Sequence, residues 1–138
     1  MVAQKGKDLL LKLDTSGAGS FVTAAGMRSK RIAFNSETVD VTDADSAGRW
    51  RELLAGSGVQ RASINGSGIF KDASSDAEIR TRFFAGTIAD WQLIVPDFGT
   101  VEGAFQITAL EYSGSHDGEV TFEMALESAG PISFTVML

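Results

Sequence analysis

Carboxylates are the commonest chemistry-bearing side chains in the C-terminal half of this 138-residue chain. Glu111, Glu123 and Glu127 fall where neighbouring strands would set them side by side. Two facing carboxylates can run acid–base glycoside chemistry. These three, however, occupy outward positions of strand-like segments, where a row of glutamates is ordinarily a wet face. His116 is the only histidine and sits in the polar turn Ser113-Gly114-Ser115-His116-Asp117-Gly118. A Ser–His–Asp order can be traced through it, but the G-x-S-x-G elbow is absent. One histidine and no cysteine leave no His cluster and no thiolate site for a metal. Asp40, Asp43 and Asp45 recur in a loop as an oxygen-only Ca²⁺ site requires, but without the turn glycine and closing glutamate of an EF-hand. Gly66-Ser67-Gly68 is a fragment of a phosphate loop, and glycine in a strand more often marks a bulge or a close backbone approach. The expectation is no catalytic residue, no cofactor and no metal.

Charge excludes a further class. Residues 1–61 carry nine Lys/Arg and seven Asp/Glu, a net of +2, whereas residues 62–138 carry three and eleven, a net of −8. No basic residue follows Arg82. Gripping phosphates requires Lys and Arg to displace counterions, so the C-terminal half repels nucleic acid. Arg28, Lys30 and Arg31 form one small basic cluster without interleaved aromatics; they suit a subunit contact opposite a neighbour's carboxylates better than a nucleic-acid site. No apolar run reaches the roughly 20 residues that span a bilayer. The N-terminus reads as having no signal peptide, and the expectation is a protein made in the cytoplasm and not inserted in a membrane.

These side chains need elements to hold them, and period-two alternation supplies most of those elements. Leu9, Leu11 and Leu13 alternate as a strand. Residues 21–23 and 31–35 look like strands, the latter with Ile32 and Phe34 inward, and residues 37–41 could form another. A turn of helix is expected at residues 49–54. Ala62, Ile64, Gly66, Gly68 and Phe70 share one strand face. Ser75 with Glu78 reads as a capping box opening a helix, with Ile79 and Phe83 buried and Gly86 as its stop. Trp91, Leu93 and Val95 mark the next strand. Val101, Gly103, Phe105, Ile107 and Ala109 follow, and a parity switch near Leu110 suggests a bulge. Val120, Phe122, Met124 and Leu126 then face inward. Ser128-Ala129-Gly130-Pro131 reads as a turn into a last strand with Ile132, Phe134, Val136 and Leu138 inside. Residues 90–138 are thus expected as a four-strand antiparallel run. The expected fold is a single mainly-β domain over residues 1–138: an antiparallel β-sandwich or barrel with one flanking helix and a long inter-strand loop at about 36–58.

The order of these elements resembles a known family. A Leu-rich strand and hairpin region lead to a long loop closing on Trp50-Arg51-Glu52-Leu53-Leu54-Ala55-Gly56. Arg61-Ala62-Ser63-Ile64-Asn65-Gly66-Ser67-Gly68-Ile69-Phe70-Lys71-Asp72 follows, then the capped helix, a Trp-bearing strand and the final antiparallel run. The whole chain is similar to the major tail tube proteins of long-tailed, non-contractile phages and gene transfer agents. That resemblance implies hexameric rings stacked into a tail tube that conducts DNA, with no enzymatic activity. It also implies a virion or phage-like particle tail assembled in the bacterial cytoplasm, with tape measure, tail terminator and distal tail proteins as partners. The long loop, with Asp43, Asp45 and Trp50, would bridge subunits. Glu111, Glu123 and Glu127, and less strongly Glu102, would face the lumen, where like charge lets DNA slide. The alternatives are a tail terminator or a secretion-system tube-like ring protein, and, from another class, a monomeric β-barrel enzyme or binding module with an enclosed pocket.

Overall fold

The computed structural model describes residues 9–15 and 19–136. Seven strands form one antiparallel sheet: β1 (Leu10–Asp14), β2 (Phe21–Thr23), β3 (Met27–Ser36), β6 (Gln60–Ile69), β7 (Ile88–Val95), β8 (Gly99–Ser113) and β9 (Thr121–Val136). A separate two-stranded ladder joins β4 (Val39–Asp40) to β5 (Leu53–Leu54), and one helix, α1 (Ser74–Ala85), links β6 to β7. The sheet order is β2-β1-β7-β8-β9-β6-β3.

That order forces the sheet to curl. β2 and β3 are consecutive in the chain yet occupy opposite edges. Ala24 donates its N–H to the Leu11 carbonyl of β1, while the Gly26 carbonyl accepts from Ile69 of β6. Two residue steps span at most about 7 Å. In a flat sheet, seven strands about 4.8 Å apart would hold the edges about 29 Å apart. The expected sandwich-or-barrel with a flanking helix is therefore present as a single rolled sheet, and no strand pairing seals β2 to β3. Gly68 makes the crossing possible, because a Cβ there would drive into the Gly26 carbonyl.

The rolled face holds the core. Leu11, Leu13, Ile64, Trp91, Leu93, Phe105, Phe122 and Leu126 are all essentially inaccessible, and Ile79 of α1 joins them. The helix stop is as expected, with Gly86 in the left-handed region. The start is not: the cap position is Ala73, whose N–H donates to the Asp76 carboxylate at 3.0 Å. Ser75 lies two residues past the cap position; its hydroxyl instead accepts from Ala25 N–H at 3.1 Å and ties α1 to the edge-crossing link. Arg82 donates to the carbonyls of Asp14 and Thr15, fastening the other end.

The end of the chain differs from expectation. β9 passes through Ser128-Ala129-Gly130-Pro131 without turning, and both its halves pair with β8. Residues 129–131 form a bulge on β9, since Gly103 faces Ile132 while Phe105 faces Ser128. A proline is tolerated there because a bulge removes a ladder hydrogen bond anyway. The C-terminal run is thus three strands, not four. The expected parity switch in β8 is real, with a register shift between Ile107 and Ala109. Leu138 and part of the loop after Thr15 lie outside the described residues.

The long loop is an ordered arm. Glu37 donates to the Val59 carbonyl and Val41 to the Glu52 carbonyl, so β4 and β5 continue the β3–β6 ladder outward. Thr42 clamps the strands near the tip: its hydroxyl accepts from Glu52 N–H at 2.6 Å. The expected helix at residues 49–54 is absent; a short 3₁₀ turn sits at Ala47–Arg49 and β5 follows.

Candidate assembly surfaces

The outward face of the sheet collects the predicted carboxylates. Opposite residues of an antiparallel pair point to the same side. Glu111 faces Glu123, Glu123 faces Ser67, and Ser67 faces Ser29, which makes one row across four strands. A second row runs Gln106, Glu127, Ser63, Ala33. Glu102 lies farther along, accepting from the Gln92 amide at 2.6 Å. Among the described residues, none of Glu111, Glu123 and Glu127 makes an ion pair. Their neighbours on this face are mostly small, so the carboxylates stand clear.

The basic cluster is split by strand alternation and by the β3 irregularity after Met27. Arg28 pairs with Glu119 of its own chain at 3.2 Å. Lys30 faces Gly66 on the core side of β3. Arg31 faces Asn65 on the outward side and shares a shallow depression with Glu123. The three residues therefore do not form one patch.

In the arm, Asp43 accepts from Asp45 N–H, and Asp40 from Thr42 N–H. Thr42, through its side chain first and its N–H second, holds the Asp40 carboxyl below its ordinary value. These carboxylates shape turns, and no group of three potential ligands converges for a metal among the described residues. His116 is exposed to solvent beside Asp117, 3.8 Å from its carboxylate.

Exposed apolar side chains dominate what remains. Trp50 at the arm tip is 78% exposed, and Val39, Val41, Leu53, Leu54 and Val59 are uncovered along the arm. At the sheet end from which the arm leaves, Phe34, Phe134 and Val136 are also exposed, with Phe98 packed edge-on against Phe134. Phe34 faces buried Ala62 and Phe134 faces buried Val101, so both lie on the core side but beyond its cover. They border an open groove of about 410 Å³ with Ile132 and Pro131. The sequence reading put Phe34, Phe134 and Val136 inside; alternation identifies a face but not where its cover ends. At the opposite end of the sheet, Phe70 and Tyr112 meet edge to face at 5.8 Å in a smaller notch. Burial, then the Asp76 charge, pushes the Tyr112 hydroxyl pKa up. No described helix is long and apolar enough to cross a membrane.

Comparison with known proteins places this pattern. The family model described as phage tail tube protein matches residues 3–134. No curated protein matches. A chain from the tail of an empty gene transfer agent particle, solved with helical refinement and C6 symmetry, is 57% identical with a TM-score of 0.94, over 97% of this chain and all of that one. A chain of the native gene transfer agent virion is 55% identical at a TM-score of 0.90, with the same coverage. The SPP1 tail tube shares the fold at 15% identity, with a TM-score of 0.75 over 97% of this chain and 80% of that one.

Proposed function

This chain belongs to the phage tail tube protein family, a structural and not an enzymatic family, and from that premise we propose that it is the repeating subunit of a gene transfer agent or phage tail. Copies form six-membered rings, the rings stack, and DNA passes through the lumen from particle to host. The observation that carries this reading is the end-to-end match, at 57% identity, to a chain of a C6-symmetric tail. The uncovered apolar arm and groove agree with it, since exposed apolar area of this extent marks protein contacts.

The lumen is lined in this reading by the outward face bearing Glu111, Glu123, Glu127 and Glu102. Uncompensated carboxylates on that wall keep phosphates from adsorbing. Arg28, Lys30 and Arg31, and Asp43, Asp45 and Trp50 of the arm, belong to inter-subunit contacts. Tape measure, terminator and distal tail proteins are the partners, and assembly takes place in the bacterial cytoplasm. Electron microscopy of the purified protein at rising concentration tests the reading. Long tubes of annular cross-section are expected. Single rings that never stack would indicate a terminator, and solitary subunits at every concentration would overturn the tube assignment.

A further inference from the structure

The arm carries a shaped knob. Trp50 stands largely exposed between Arg49 and Arg51; the Arg51 charge acts on Asp40 of its own arm, and neither arginine makes an ion pair within 4.0 Å among the described residues. The ladder beneath it is hydrogen-bonded to within two residues of the knob, which lowers the cost of ordering the backbone on docking. Five residues beyond Ser36 at about 3.3 Å each carry the arm roughly 17 Å past the sheet end. A second copy is what it meets there if the chain assembles head to tail, as the stacked-tube reading requires.

Two recesses could receive the knob, and polarity selects between them. The larger groove, beside Phe134, lies at the root of the arm. A copy standing ahead of the arm in the same orientation keeps that groove on its own distant side and offers its opposite end. That end carries the Phe70–Tyr112 notch, a recess of about 250 Å³ bordered by Asp72, Asp76 and Arg80. Asp72 is exposed and makes no ion pair among the described residues. Knob and notch are complementary in shape and largely in charge: an indole flanked by two guanidinium groups, and an aromatic pair bordered by two carboxylates, Asp72 and Asp76, and one guanidinium, Arg80.

We propose that Trp50 of each copy docks in the Phe70–Tyr112 notch of the next copy along the tube, with Arg49 and Arg51 facing Asp72. This rests on the stacked-tube reading. Truncation of such a central aromatic raises the concentration needed for assembly at least tenfold, roughly the hot-spot range.

The chain has no cysteine, so introduced thiols are unique. Ala47 near the knob and Gly114 beside the notch are exposed, and a side chain at Gly114 meets nothing closer than ordinary contact. Ala47→Cys with Gly114→Cys, treated with a short bis-maleimide in assembled tubes, is expected to give a covalent ladder extending past the hexamer. Ala47→Cys with Gly130→Cys, which probes the groove, is expected to give none. A ladder from the groove pair alone, or from neither pair in intact tubes, overturns the docking. Failure of the unsubstituted chain to form tubes overturns the tube reading itself. Charge exchange provides an independent check. Arg51→Glu or Asp72→Lys alone is expected to suppress assembly and the two together to restore it; assembly unaffected by either single change counts against the contact.

Discussion

The two glutamates that face one another, Glu111 and Glu123, are uncommon neighbours, because like charges directly opposite destabilise a sheet. With no cation paired to either among the described residues, the sheet does not exploit them for its own stability. Replacing Glu111, Glu123 and Glu127 together by Lys is expected to leave the subunit folded and tubes intact while DNA delivery stalls; particles that deliver DNA normally would remove these residues from the lumen. Tyr112 offers a second test at this scale, since it is the only tyrosine. Its pKa is raised in the folded chain, chiefly by burial, so the folded state binds its proton more tightly than the unfolded one. The stability this contributes is whole below the ordinary value of 10.0 and is lost as pH rises through the folded value. Ultraviolet titration is expected to show a midpoint above 10.0, moving higher still in tubes if the notch is covered. The glutamate positions were legible from alternation alone. The acceptor role of Asp76 was not, because Ser75 has the better capping chemistry by type, and only the helix start decides which residue serves.

Among the elements, the arm separates folding from assembly. Gly58 lies against the Glu37 backbone so closely that a Cβ would overlap its carbonyl. Gly58→Ala is therefore expected to displace the arm but spare the sheet: far-ultraviolet circular dichroism and the thermal transition should change little, while tubes fail to form. Tubes forming from this variant at the usual concentration would show that the arm is dispensable. β1, β6, β7 and β8 were readable in the sequence, since each buries one face against the rolled core and so alternates, β8 with one switch of parity. β9 misled at Gly130-Pro131, where turn chemistry and bulge chemistry use the same residues and only pairing with β8 distinguishes them. In the arm, β4 falls within the strand foreseen at residues 37–41, whereas β5 looked like helix, because its exposed side chains carry no face bias.

In the molecule as a whole, the core and the exposed apolar set have opposite roles although both are hydrophobic. Leu126 is completely buried at the centre of the sheet. Leu126→Ala is expected to cost about 2–5 kcal/mol by lost transfer energy and cavity formation, read as a lower denaturant midpoint. Phe134→Ala, at an uncovered position, is expected to move that midpoint far less; an equal loss from both would mean that the groove is part of the core. The sequence assigned both residues to the interior, since hydrophobicity and parity are the same for a side chain sealed by its own chain and for one reserved for another.

The short crossing between Thr23 and Met27 bears on mechanical behaviour. A rolled sheet with an unbonded seam resembles a split collar, which outward pressure can spread at little cost. Here Ala24, Ala25 and Gly26 act as a clasp over the split, anchored by main-chain bonds on both lips and by Ser75 from the helix. Spreading the collar at that point means breaking those bonds. The clasp thereby opposes a change of girth under radial strain.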